Sequence, residues 1–259
     1  MTGAPHGVPG QLECRIGYHQ GQGPVLPPAD VARLCRFAQS RSRDWGTRIC
    51  QYLGLDLRRR VKVTLRPGTY LSMTRGNDVV IGVDAGTVSA ALAHELVHAV
   101  VGPSPRQVYA EGLAVHVDSR LRLAGPAWPF FDLDPDRWVR HFVDDGSYVP
   151  LALLMAAPRA LPSAEEGMSS AARIYLEAAS LVAFVVHRLG LEGFWPYFRS
   201  GRPIAATGPE LDAMEQAWLA GLGGPLTDAE LRCRDAALAR VVDDGRHGVV
   251  TRPDPTAAP

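Results

Sequence analysis

The motif H-E-L-V-H at residues 94–98 constrains the fold of this chain more than any other feature. Its polar side chains can act together only if the backbone that carries them is helical. The motif lies in an apolar stretch that Gly102-Pro103 closes. This pattern predicts a helix over residues 87–101, with Thr87 as its N-cap. Residues four positions apart on a helix share a face, so the two imidazoles can reach one metal ion.

The glutamate inside the motif, Glu95, is suited to act as a general base. It lies about 100° around the helix from His94, beside a metal held by the two histidines rather than on it. From there it can take a proton from water that the metal activates. Three ionisable groups on such an apolar helix are costly unless a metal ion pairs with them. The alternative is two unrelated surface histidines, which the apolar surroundings disfavour.

A third metal ligand is expected, because catalytic zinc usually takes three protein ligands and leaves one position for water. Glu111 offers it, on a second predicted helix over about 105–123 that follows a Gly-Pro-Ser-Pro turn. If the two helices pack antiparallel, Glu111 lies about 8 Å into the second helix and opposite the histidines. Gly112 would let these two helices approach closely. The alternative for Glu111 is a solvent-facing helix glutamate.

The remaining pattern predicts an α+β fold with a small mixed sheet packed on the motif helix. Strands are expected over 61–65, 69–74 and 78–83, with Arg75-Gly76-Asn77 as a hairpin turn, and a first helix over 30–53 ends at Gly54. Further helices follow at roughly 136–144, 150–157, 169–189, 191–199, 209–221 and 227–242.

Four segments describe the expected organisation of the chain. Residues 1–28, rich in glycine and proline, read as a flexible leader, and residues 245–259 as a loose tail. Between them lie an N-terminal lobe over 29–125, which carries the two motif helices, and a helical C-terminal lobe over 126–244.

The two motifs together resemble the gluzincins, the superfamily of zinc peptidases that includes thermolysin-like and aminopeptidase-like enzymes. The resemblance is carried by residues 94–114, where H-E-x-x-H is followed by E-G-x-A, and it extends over about 60–190. It implies a zincin-like fold, with the glutamate ligand at Glu111. It also implies an edge strand at 69–74 that binds extended substrate by strand addition.

A second part of the resemblance concerns Tyr175, which opens an apolar helix. Aminopeptidase-like gluzincins have a tyrosine at the start of a similar helix that stabilises the oxyanion, so the resemblance implies this role for Tyr175. Packing is the alternative for this residue. Tyr109 and His116 are fallback donors.

The chain also departs from the family pattern. It has no G-x-M-E-N segment, which in aminopeptidases holds the free amine of the substrate, so exopeptidase activity is not implied. The aspartate that thermolysin-like enzymes have four residues after the glutamate ligand is replaced by Val115. Asp118 could instead orient a histidine from the second shell, and a helix-surface aspartate is the alternative.

Composition indicates which partners the protein is expected to bind and in which compartment it is expected to lie. Net charge is zero, with 27 acidic and 27 basic residues, so no electrostatic footprint for nucleic acid or an anionic membrane is expected. No apolar run reaches the roughly 18 residues of a membrane span, and the N-terminus lacks the apolar core of a secretion signal. A cytoplasmic protein is therefore expected, and the sequence sets no oligomeric state.

These observations predict a zinc-dependent peptidase that acts on a peptide or small amide substrate. The first alternative is a zinc amide hydrolase that tailors a small metabolite or a modified peptide, and the sequence does not separate the two. The second alternative is a non-catalytic, metal-stabilised binding scaffold, which would usually have lost the base that Glu95 retains.

Overall fold

The computed structural model describes residues 13–19, 25–55, 60–67, 72–83, 88–123, 132–156, 170–243 and 249–251. In these ranges the fold is α+β, with a mixed four-stranded sheet and a largely helical remainder. The strands are β1 (Glu13–Tyr18), β2 (Arg60–Pro67), β3 (Met73–Arg75), β4 (Asp78–Val83), β5 (Val241–Asp243) and β6 (Val249–Thr251). The helices are α1 (Pro28–Leu53), α2 (Val88–Val101), α3 (Gln107–Leu121), α4 (Pro135–Asp144), α5 (Leu151–Ala156), α6 (Ser170–Ser200), α7 (Gly208–Gly221) and α8 (Asp228–Arg240).

The chain divides into two compact units, Met1–Gly102 and Pro103–Pro259. This division falls earlier than the predicted boundary at residue 125. The difference arises because α3 packs on α6, with the backbone of Gly112 against that of Ala178, and so belongs with the helices that follow it.

The sheet of the first unit has the strand order β1-β2-β4-β3. Strands β1, β2 and β4 run parallel, and β3 pairs antiparallel with β4 as an edge strand. The alternation predicted for β2 is confirmed, since Val61, Val63 and Leu65 are buried. The hairpin between β3 and β4 is confirmed too, and Gly76 takes the positive φ of 60° that the turn requires.

Strand β1 corrects the prediction that residues 1–28 form a flexible leader, because Glu13–Tyr18 pairs in parallel with β2. Cys14, Ile16 and Tyr18 alternate with Glu13, Arg15 and Gly17, which is the period of a strand, but the glycine-rich surroundings masked this short signal.

The predicted loose tail needs a similar correction, because Val249–Thr251 forms β6 and pairs antiparallel with β5. Two valines and a threonine favour a strand even in a proline-rich context.

Helix boundaries follow the predictions closely. Helix α1 ends at Gly54, whose φ of 62° is left-handed as expected of a C-terminal glycine. The break predicted between helices 169–189 and 191–199 appears inside α6, where Gly190 has non-helical dihedral angles. Thr87, the predicted N-cap of α2, lies outside the described residues.

Among the described residues, one helix, α6 over Ala172–Ser200, is long and apolar enough to cross a membrane by length and composition alone. Core helices of proteins without a membrane meet the same criterion. Two polar side chains of α6, Glu177 and Ser180, are buried inside the second unit. The Ser180 hydroxyl donates to Asp136 of α4, and Trp218 of α7 donates to the Ser180 hydroxyl. These bonds are typical of a core helix.

Two acidic side chains fasten the segment between α4 and α5 to the helices around it. Glu215 of α7 accepts hydrogen bonds of 2.6 Å from the Tyr148 hydroxyl and from the Leu151 N–H. Glu177 of α6 accepts from the Val149 N–H at 3.2 Å. Burial raises the pKa of Glu177 to about 8, because the charged carboxylate loses its hydration there.

Candidate metal centre

Helix α2 is buried on nearly all sides, as its composition predicts. Leu92, Leu96 and Ala99 are fully buried, and the helix contacts α1, β3 and β4 within the first unit. His94 and His98 are half-buried on this helix, and their Nε2 atoms lie 3.0 Å apart. The two imidazoles therefore share one face, as the spacing of four residues requires.

Glu111 joins the two histidines in one group. It lies on α3, the helix that follows α2 after a short connection, and the Gly102 N–H closes α2 by donating to the His98 carbonyl at 2.8 Å. His94, His98 and Glu111 each offer one ligand atom, and these atoms lie within 4.8 Å of one another. Such a group could hold a metal ion.

The chemistry of this donor set fits zinc. Two imidazole nitrogens bound to one tetrahedral zinc ion at about 2.05 Å lie about 3.3 Å apart, close to the separation observed here. Imidazole and carboxylate ligands are those that zinc takes in catalytic sites. A hydrogen bond between two imidazoles gives a similar separation, so the fit to a metal rests on the three donors together.

Glu95 occupies a different position from the three potential ligands. Its side chain is buried, with 7% of its surface exposed. Its Oε2 atom accepts a hydrogen bond of 2.7 Å from the Thr74 hydroxyl of edge strand β3. The same hydroxyl lies 3.0 Å from the backbone carbonyl of Glu95. The residue predicted as the general base thus carries a buried carboxyl group that is hydrogen-bonded to strand β3.

Sequence reasoning missed Thr74 as a site residue. Thr74 ends the strand predicted over 69–74, but its contact with Glu95 depends on how β3 lies against α2, and no local pattern encodes that contact. A polar residue in the strand next to the H-E-x-x-H helix is the signal that could have drawn attention to it.

Two of the predicted accessory residues lie in defined environments on α3. Tyr109 is fully buried, and its hydroxyl donates to the Arg202 carbonyl at 2.9 Å, which engages its only hydroxyl proton. Burial also raises the pKa of Tyr109. Asp118 is only 3% exposed, so the surface alternative for this aspartate is wrong.

His116 is also mostly buried. Desolvation is the main cause that lowers the pKa of His116, to about 4; the nearby Arg120 lowers it further and Asp134 raises it. The imidazole is therefore neutral at neutral pH, so it has one N–H to donate.

Tyr175 lies on the stripe of α6 that faces α3. Ala178 and Val182 of α6 lie against Gly112, and Tyr175 precedes them by three and seven residues, the spacing of one helix face. This placement keeps Tyr175 a candidate for the oxyanion donor, and packing remains the alternative.

The contact at Gly112 involves a helix that the sequence analysis does not pair with it. A Cβ built at Gly112 would lie 2.4 Å from the Ala178 carbonyl oxygen of α6, and the predicted approach of α2 and α3 stays a prediction. The neighbour that demands a glycine beside Glu111 is therefore α6, and this close backbone contact fixes α3 within its own unit.

Comparisons with known proteins assign no family to the chain. No protein-family model, no curated protein and no solved structure matches it.

Proposed function

We propose that this protein is a zinc-dependent hydrolase of peptide bonds with a zincin-like fold of the gluzincin type. The observation that carries the proposal is a group of two imidazoles and one carboxylate with a buried glutamate next to a ligand in sequence. Structural zinc sites usually have four protein ligands, whereas three ligands leave a position for water or substrate. A carboxylate beside such a position has the chemistry of a general base.

His94, His98 and Glu111 would hold the metal. When bound, zinc supplies Lewis acidity that polarises an amide carbonyl and lowers the pKa of water. The protein's own part is the proton transfer. Glu95 takes a proton from the attacking water as the water oxygen bonds to the carbonyl carbon, and it delivers that proton to the amine nitrogen as the C–N bond breaks.

Tyr175 is the proposed oxyanion donor. A tyrosine hydroxyl aimed at the developing negative charge contributes to acyl transfer because the charge is greater in the transition state than in the substrate. Its place on the α3-facing stripe of α6 supports this role, since α3 carries Glu111.

Edge strand β3 supports a peptide rather than a compact metabolite as the substrate. Among the described residues the strand pairs only with β4, and its Thr74 contacts Glu95. A strand edge next to a base can receive an extended backbone by strand addition.

Removal and return of zinc test the proposal. The protein is incubated with a mixed peptide library after loading with zinc, after chelation, and after zinc is added back, and the products are read by mass spectrometry. We expect cleavage with zinc, loss of cleavage on chelation and recovery on zinc addition, because the base alone does not activate water enough.

The outcomes separate the alternatives. Bound zinc with no cleavage of any peptide would contradict the peptidase and favour the tailoring of a small amide. Cleavage that survives complete chelation would contradict a metal mechanism. Unfolding on chelation without activity at any zinc concentration would favour the metal-stabilised scaffold.

A further inference from the structure

We propose that Thr74 is a positioning residue for the general base, and that its hydroxyl fixes which oxygen of Glu95 takes the proton. This inference rests on the proposed hydrolase function. It adds to that function a residue of the sheet, outside both motif helices.

A short hydrogen bond joins Thr74 to Glu95. The Thr74 hydroxyl lies 2.7 Å from Oε2 of Glu95, which is the usual length for a hydroxyl that donates to a carboxyl oxygen. A threonine hydroxyl has one proton, and the backbone carbonyl of Glu95 is farther away at 3.0 Å. The side-chain oxygen is therefore the closer of the two acceptors.

The bond satisfies a buried polar side chain. Glu95 is buried, and Leu96 and Ala99 of the same helix are fully buried, so its carboxyl group needs a hydrogen-bond partner from the protein. Among the described residues, Thr74 is the donor that reaches the carboxyl group of Glu95. Thr74 thus holds in place the group that would accept the proton.

The same bond orients the carboxyl group of Glu95. A carboxylate held at Oε2 loses rotation about its last side-chain bond, so Oε1 is directed away from the threonine. No hydrogen bond to a described residue engages Oε1, which leaves it for the attacking water. In this account Oε1 takes the proton and later passes it to the amine, and Thr74 stays bonded to Oε2 throughout.

Three threonine variants test the inference. Thr74→Val keeps the shape and the β-branch but removes the hydroxyl, whereas Thr74→Ser keeps the hydroxyl. Thr64→Val makes the same chemical change on strand β2, which β4 separates from β3, and it serves as the matched control. We expect Thr74→Val to lower kcat by about 10- to 100-fold with KM and zinc content unchanged, as for other groups that orient a residue of a metal site through a hydrogen bond. Thr74→Ser and Thr64→Val should keep kcat near that of the wild type.

A second readout does not depend on activity. The carboxyl carbon of Glu95 is observed by NMR in protein labelled with ¹³C-glutamate and is identified by its loss in Glu95→Gln. We expect its chemical shift to change in Thr74→Val and to stay at the wild-type position in Thr74→Ser, because only the former removes the donor.

The results that overturn the inference are distinct from those that overturn the function. If the wild type cleaves peptides and Thr74→Val matches Thr64→Val in kcat, Thr74 does not position the base and the hydrolase stands. A loss of kcat that Thr74→Ser does not restore, or that coincides with loss of zinc, also contradicts the inference. A wild type that binds zinc and cleaves no amide contradicts the proposed function and the inference with it.

Discussion

Replacing Glu95 with glutamine should lower kcat by about 1,000-fold or more while the zinc content stays near one ion per chain. Glutamate and glutamine side chains have the same shape. The amide oxygen of glutamine can still accept a hydrogen bond from the Thr74 hydroxyl, so the buried bond of 2.7 Å is kept. The amide cannot accept a proton at neutral pH, which removes the base without removing a ligand. The measurement is steady-state cleavage of the best library peptide together with metal analysis.

A matched control is available on α6. Glu192 is an exposed glutamate on that helix, so Glu192→Gln makes the same chemical change away from the candidate site and should leave kcat unchanged. Equal rates for the wild type and Glu95→Gln would remove Glu95 from the mechanism. Loss of zinc in Glu95→Gln would instead mean that this carboxylate helps to hold the metal.

Gly112→Ala should be the most destabilising single-methyl change in the site region. The added Cβ would lie 2.4 Å from the Ala178 carbonyl oxygen and 2.8 Å from a methyl of Val182. The first of these is backbone, so α3 and α6 must move apart to relieve the clash. Overpacking of this kind costs up to about 3 kcal/mol, and the roughly 1 kcal/mol that alanine gains in a helix offsets part of it, which leaves a net loss of about 1–2 kcal/mol. For a chain of this size the melting temperature should fall by roughly 2–8 °C.

Gly221→Ala provides the comparison for that melting experiment. Gly221 is also helical, at the end of α7, and a Cβ built there meets nothing within 4 Å. We expect Gly221→Ala to melt at or slightly above the wild-type temperature. If Gly112→Ala melts at the same temperature as Gly221→Ala, the close contact of α3 and α6 does not exist in solution. Because Gly112 is next to Glu111, the destabilised variant should also bind zinc more weakly.

Features that repeat with a local period could be predicted from the sequence. The spacing of His94 and His98 predicted that the two side chains share one helix face, and the glycine after Leu53 predicted where α1 ends. The turn at Gly76 similarly gave the hairpin of β3 and β4. In each case the geometry follows from residues within one turn or one hairpin, so no tertiary information is needed.

Features set by packing between distant segments could not be predicted in the same way. The partner of Gly112 is Ala178, and the donor to Glu95 is Thr74, and neither pairing leaves a local signal. Strand β1 is a further example, since its parallel partner β2 begins at Arg60, far along the chain. The sequence left Asp118 open between orienting a histidine and lying on the helix surface, and only the packing of α3 shows that it is buried.

The most direct test of the account is the zinc affinity of the wild type and of single-ligand variants, measured by competition with a chromophoric chelator. The account predicts one zinc ion per chain, and a loss of affinity of about 100-fold or more in each of His94→Ala, His98→Ala and Glu111→Ala. His187→Ala, which changes an exposed histidine of α6, should bind as the wild type does. A Glu111→Ala protein that binds zinc as tightly as the wild type would contradict the three-ligand site on which the proposed hydrolase depends.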